Sequence, residues 1–167
     1  MNIVKDITQW DGKSAGDIQK IYDKHHRRTD FSDEIIKLTL NPTYEKGATW
    51  LLKAWLESGY TLSKTQIKRI YGLLEQLENW EAKLHVLQCI HFMPIERAEK
   101  KQVYSFLRQS IIDSNKFVRA WAYNGLYELS QQHSKYLAET KEFFEMAMRD
   151  EAASVKARIR MIVKKGF

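Results

Sequence analysis

Apolar side chains recur three and four residues apart along almost the whole chain, as at Ile67, Ile70, Leu73, Leu74 and Leu77, with no sustained strand-like alternation. The pattern predicts an all-α chain. Turn-forming clusters interrupt it at Asn41–Thr43, Glu57–Thr61, Leu77–Asn79, Met93–Glu96, Asp113–Asn115, Gln131–Ser134 and Arg149–Ser154. They divide it into helices of roughly 10 to 18 residues. Breaks this short predict that successive helices run antiparallel as neighbours.

Four of these segments superimpose: ATWLLKAWL from Ala48, AKLHVLQCI from Ala82, VRAWAYNGL from Val118 and VKARIRMIV from Val155, with starts 34, 36 and 37 residues apart. Counted from each start, the fifth residues are Leu52, Val86, Ala122 and Ile159, the eighth Trp55, Cys89, Gly125 and Ile162, and the ninth Leu56, Ile90, Leu126 and Val163. Every one is apolar or glycine, and the offsets share one helical face. Gly125 costs its helix roughly 1 kcal/mol relative to alanine, so its place on that face predicts a closely packed neighbouring helix. Each of the four is preceded by another apolar-striped segment: DFSDEIIKLTL, TLSKTQIKRIYGLLEQL, ERAEKKQVYSFLRQSI and SKYLAETKEFFEMAM. The repeating unit is helix, tight turn, helix, and stacking such units buries a continuous core.

The stretches DSNKFVRAWAYNGLYEL and DEAASVKARIRMIV resemble the second helix of the HEAT repeat family: an acidic turn residue, then Val-Arg or Val-Lys, then small and aliphatic positions. The resemblance covers residues 30–167. It implies a right-handed α-α superhelix, a HEAT-like solenoid of about four helix pairs, with the turn acid and the second-helix base pairing along the array. On this chain those pairs would be Asp113 with Arg119 and Asp150 with Lys156. The first unit departs from the motif with Thr49 at the basic position, and the second has Lys83 but Glu78 as its acid. Residues 1–29 are expected to form an N-terminal cap on this single domain, built on a helix in KSAGDIQKIYDKHHRRT with Ser14 or Asp17 near its start.

Composition narrows the picture without naming a partner. The 167 residues are 44% hydrophobic and 29% charged, and 27 Lys and Arg against 21 Asp and Glu give a net charge of +6. This modest excess favours anionic partners. A lone cysteine, Cys89, excludes an internal disulfide framework, and no N-terminal run reads as a secretory signal, so the expected location is cytoplasmic. Charges interrupt every apolar run well short of the roughly 20 residues that span a bilayer, so no membrane insertion is expected.

Signals for chemistry are weak. His85 and Cys89 lie four apart on one helix, but no second pair completes a metal site, and core packing explains them. His25 and His26 end a basic helix, and His133 sits in a polar loop. No GxSxG, phosphate-cradling GxxxxGK or catalytic cysteine neighbourhood gives reason to propose an enzyme or a cofactor.

The charge pattern points to binding. The second, sixth and tenth positions of the four second helices form a stripe that reads Thr49, Lys53 and Glu57, then Lys83, Leu87 and His91, then Arg119, Tyr123 and Tyr127, then Lys156, Arg160 and Lys164, growing basic and aromatic towards the C-terminus, with Trp121 as a further aromatic contact candidate off the core face. Ala152 to Phe167 holds five basic residues and no acid. If second helices line a concave side, as in the arrays this chain resembles, these residues form a basic, aromatic groove. The leading expectation is a non-enzymatic protein-binding scaffold or adaptor whose groove receives an acidic surface or segment. The alternative is nucleic-acid binding or repair, by resemblance to HEAT-like DNA alkylation repair glycosylases, with Lys83, Arg119, Lys156, Arg160 and Lys164 on phosphates.

Overall fold

The structure, a computed structural model, describes residues 2–167. It is all-helical, with ten α-helices and three short 3-10 turns and no strand among the described residues. The chain divides into two compact units, residues 1–92 and residues 93–167.

In the first unit the helices are α1 (Ile3–Gln9), α2 (Ala15–His25), α3 (Phe31–Leu38), α4 (Glu45–Glu57), α5 (Lys64–Leu73) and α6 (Trp80–Cys89). Their starts are fixed by side chains that take up otherwise orphaned amide protons. Asn2 accepts from Val4 and Lys5, Ser14 from Asp17, and Asn79 from Glu81 and Ala82, while Ser63 and Gln66 cap α5 reciprocally. Gly59, at φ +91°, supplies the left-handed residue just after α4 that a β-carbon would strain. The core is the face of α4 carrying Ala48, Leu51, Leu52 and Leu56, which packs on α3 and α6.

The sequence pattern gives no sign of α1, whose seven residues are too few to establish a period. Its place depends on a glycine: a β-carbon on Gly47 of α4 would meet Ile7 Cγ2 at 3.1 Å and the Trp10 ring at 3.4 Å. Asp6 then ties α1 to α2, accepting from Lys24 Nζ at 2.7 Å and from the fully buried His25 Nε2 at 2.6 Å. Those two contacts, Lys24 first, hold the Asp6 carboxyl below its usual range.

The second unit contains α7 (Lys100–Ser110), α8 (Lys116–Gln132), α9 (Leu137–Asp150) and α10 (Ala153–Val163). Asn115 caps α8, which buries Val118, Ala122, Gly125, Leu126 and Leu129 and packs on α7 and α10. The helix anticipated from Glu96 starts at Lys100, because Pro94 and the turn through Glu99 delay it.

The four aligned segments fall on helices α4, α6, α8 and α10, each beginning two or three residues before the aligned start, with Ile90 of the second segment in the 3-10 turn that follows α6. Their first, fifth, eighth and ninth positions are buried throughout, with one departure: Val163, in the last turn of α10, is 49% exposed. Gly125 is buried as its register position requires.

Candidate functional site

Within each unit the successive second helices are joined at the second aligned position, so this position faces a neighbouring element of its own unit. In the first unit Thr49 is fully buried. Its hydroxyl donates to the Glu45 carbonyl at 2.7 Å, which leaves the oxygen to accept from His85 Nδ1 of α6 at 3.1 Å. Burial, reinforced by Lys53 and Lys46, pushes the His85 imidazole down to about 4. One turn earlier the Glu45 carboxylate, 2% exposed, accepts from the amides of Asn79 at 2.5 Å and Glu78 at 3.3 Å, and closes the turn before α6. Lys46 meets Glu81 at 2.5 Å alongside.

In the second unit Arg119 occupies the equivalent position. Its Nε donates to Glu151 Oε1 at 2.9 Å and its Nη2 to Oε2 at 3.0 Å, a two-pronged pair that bridges α8 to the turn before α10. Its Nη1 donates to the backbone carbonyl of Asp113 at 2.9 Å, while the Asp113 carboxylate accepts from the Asn115 amide. The acid that Arg119 grips is thus on the following turn, where the resemblance pointed to Asp113. Lys156 likewise donates to the Arg149 carbonyl at 3.1 Å, at the C-terminus of α9, where a cation suits the helix dipole.

The stripe inferred from sequence is therefore divided among several surroundings. Lys83 is half-buried on α6, in the first unit, and Arg119, Trp121, Tyr123, Tyr127, Lys156, Arg160 and Lys164 belong to the second. Tyr123 is only 6% exposed and packs edge-on against Phe144, with its phenol pushed up by burial and by Glu151. It is a core side chain and offers little surface to a ligand. Tyr127 is half-buried against Phe167. Of these residues, only Arg160 and Lys164 are fully at the surface, on α10.

The open face of α8 lies elsewhere on the helix, at Phe117 and Trp121, one turn apart. Phe117 is 48% exposed, and the half-buried Trp121 ring carries the Arg158 guanidinium 3.9 Å from its centroid. A cation held over an indole face gains roughly 0.5–2 kcal/mol, depending on how dry the contact is. Arg158 has no hydrogen-bond or ion-pair partner among the described residues, and burial against the ring lowers its guanidinium pKa. Met161, one turn further along α10, is 54% exposed. Phe117, one turn before Trp121, and Met161, one turn after Arg158, extend this aromatic and cationic contact along the two helices, whereas the exposed Arg160 and Lys164, two and six residues on from Arg158, lie round another side of the helix. Sequence reasoning reached Trp121 but passed over Arg158, although both hold the fourth position of the aligned segments.

The residues considered for chemistry are placed structurally. Cys89 is fully buried and burial raises its thiol pKa, so it stays protonated and unreactive. No group of three or more His, Cys, Asp or Glu among the described residues could hold a metal ion, and no helix among them is long and apolar enough to cross a membrane. No family model, curated protein or solved structure matches the chain.

Proposed function

We propose that this chain is a short HEAT-like solenoid, with the right-handed stacking of that family, which acts as a protein-binding module through the face shared by α8 and α10. The architectural part is supported by the register of buried positions, which recurs in all four second helices, and by the seams at their second positions. The functional part rests above all on Arg158. A guanidinium that is oriented by an indole, half-buried, and unmatched by any carboxylate among the described residues is preorganised for an external anion. Phe117, one turn before Trp121, and Met161, one turn after Arg158, add exposed apolar area, and Arg160 and Lys164 add positive charge further round α10. That combination fits an acidic segment containing an aromatic or aliphatic anchor.

The alternative, a nucleic-acid surface, draws on the five basic residues and absence of acids between Ala152 and Phe167. Salt dependence separates the two. Fluorescence anisotropy of a labelled glutamate-rich peptide containing one tryptophan, and of a labelled DNA duplex, is measured at low and near-physiological salt. The protein-binding reading expects peptide binding that Arg158→Ala weakens by about tenfold, the loss of roughly 1.4 kcal/mol. Duplex binding with a log-affinity slope of about −3 to −4.5 against log salt, flattened by charge reversal at Lys156, Arg160 and Lys164, would transfer the function to nucleic acid.

A further inference from the structure

A second surface lies in the first unit and shares no residue with the reading above. Between α3 and α5 runs a groove of about 500 Å³, a volume within the range of ligand and side-chain pockets. Ile36 lines one wall with Leu40, which follows α3 and is 53% exposed, and Leu73 lines the other.

The wall contributed by α5 contains Gly72. This glycine has no left-handed backbone to justify it, and a β-carbon there would meet nothing within 4 Å. It therefore differs from Gly47, whose bare backbone is filled by Ile7 and Trp10. Neither a left-handed backbone nor a close neighbour among the described residues accounts for the helix stability that Gly72 forgoes. What it provides is a notch in an exposed helix wall, beside apolar side chains, where another chain can approach the backbone closely.

The charged residues lining the groove are Lys37 and Arg69 against Asp33, a net positive set. Helix α5 carries Lys64, Lys68 and Arg69 and no acid, and Lys37 stands on the opposite wall. The acid at the rim, Asp33, is engaged from within the chain, by Arg69 at 3.6 Å and by Gln66 Nε2 at 3.1 Å. An occupant must therefore bring apolar side chains for the floor and carboxylates for the rim. Both walls are helices whose backbone groups are bonded internally, so no free edge exists for an added strand.

We propose that the groove between α3 and α5 docks an acidic amphipathic helix of a partner protein, with its apolar stripe entering over Gly72 and its carboxylates meeting Lys37 and Arg69. The site is independent of the α8–α10 face and stands if that reading fails.

The test uses the full chain, labelled with nitrogen-15, and a synthetic helical peptide of about 18 residues with leucines at positions i, i+3, i+4 and i+7 and glutamates on its flanks. Saturable amide shifts are expected at Ile36, Lys37, Leu40, Arg69, Gly72 and Leu73. The same peptide with lysine in place of glutamate is expected to bind about tenfold more weakly, a difference of roughly 1.4 kcal/mol from the lost charge pairs. Gly72→Leu fills the notch and, having open space for its side chain, should preserve far-ultraviolet circular dichroism while abolishing those shifts. Lys37→Glu with Arg69→Glu should remove the preference for the acidic peptide. Shifts absent from α3 and α5, equal binding of the two peptides, or binding unchanged by Gly72→Leu would each overturn the proposal.

Discussion

The α4–α6 and α8–α10 seams sit at the same repeat register and are closed by different physics. The first is drier: Glu45 and Thr49 are buried, and their hydrogen bonds run to backbone amides, a backbone carbonyl and the neutral, half-buried imidazole of His85. The second is closed at the edge of solvent by the half-buried Arg119 and Glu151, with Arg158 lying over Trp121 beside them. One backbone register thus accepts either solution. Buried polar contacts fix the α4–α6 seam tightly because an unmade bond there is costly, whereas the cationic seam tolerates water and leaves Arg158 available to a ligand.

The largest expected effect probes the drier seam. Glu45→Ala leaves the amides of Glu78 and Asn79 without their acceptor, and the expected loss is about 3 kcal/mol, seen as a lower urea midpoint. A loss below about 0.5 kcal/mol would mean that water replaces the carboxylate and that the two seams are alike.

Acid should find the same seam next. In the unfolded chain the His85 imidazole takes up a proton near its ordinary 6.5, but in the folded chain only near 4, so the unfolded state binds more protons between these values. Stability attributable to His85 is present above pH 6.5 and is lost as pH falls through 4, by on the order of 3 kcal/mol in total. Urea unfolding of the protein and of His85→Asn at pH 7 and pH 4.5 measures it, with the variant losing less on acidification. Equal losses would remove His85 as the acid-sensitive element of the seam.

Packing on the α8 side is tested by Gly125→Leu, expected to cost about 1–3 kcal/mol because Gly125 is buried and extra carbons in a packed face strain their neighbours. An unchanged denaturation midpoint would mean that the neighbouring helices part without strain. Smaller again, Arg119→Ala should cost about 1–2 kcal/mol, with coupling to Glu151→Ala of about 1 kcal/mol in a double-mutant cycle. Coupling near zero would reduce that pair to a solvated contact.

How far the sequence carried these features can be judged residue by residue. The four second helices and their buried face were legible because Leu52, Val86, Ala122 and Ile159 repeat with a helical period, a property of local sequence. The α1 helix was not, since what holds it is a tertiary contact of Ile7 and Trp10 with Gly47, some forty residues away. The stripe built on positions two, six and ten mixes exposed residues such as Arg160 with buried ones such as Tyr123. Periodicity says which residues share a side of a helix, but only packing decides whether that side, as with Tyr123, is covered by a ring such as Phe144. Trp121 was legible as an aromatic off the core face, and reading down the fourth column of the same alignment would have placed Arg158 beside it.

The most direct test of the binding account follows the Trp121 indole N–H and the Arg158 Nε–H resonances in the full chain while the tryptophan-containing, glutamate-rich peptide is titrated in at near-physiological salt. The account requires both signals to shift saturably with one dissociation constant, and requires Arg158→Ala to weaken that constant by about tenfold while the helical signal and melting temperature stay unchanged. Binding that leaves both resonances unmoved, or that Arg158→Ala does not weaken, would contradict it.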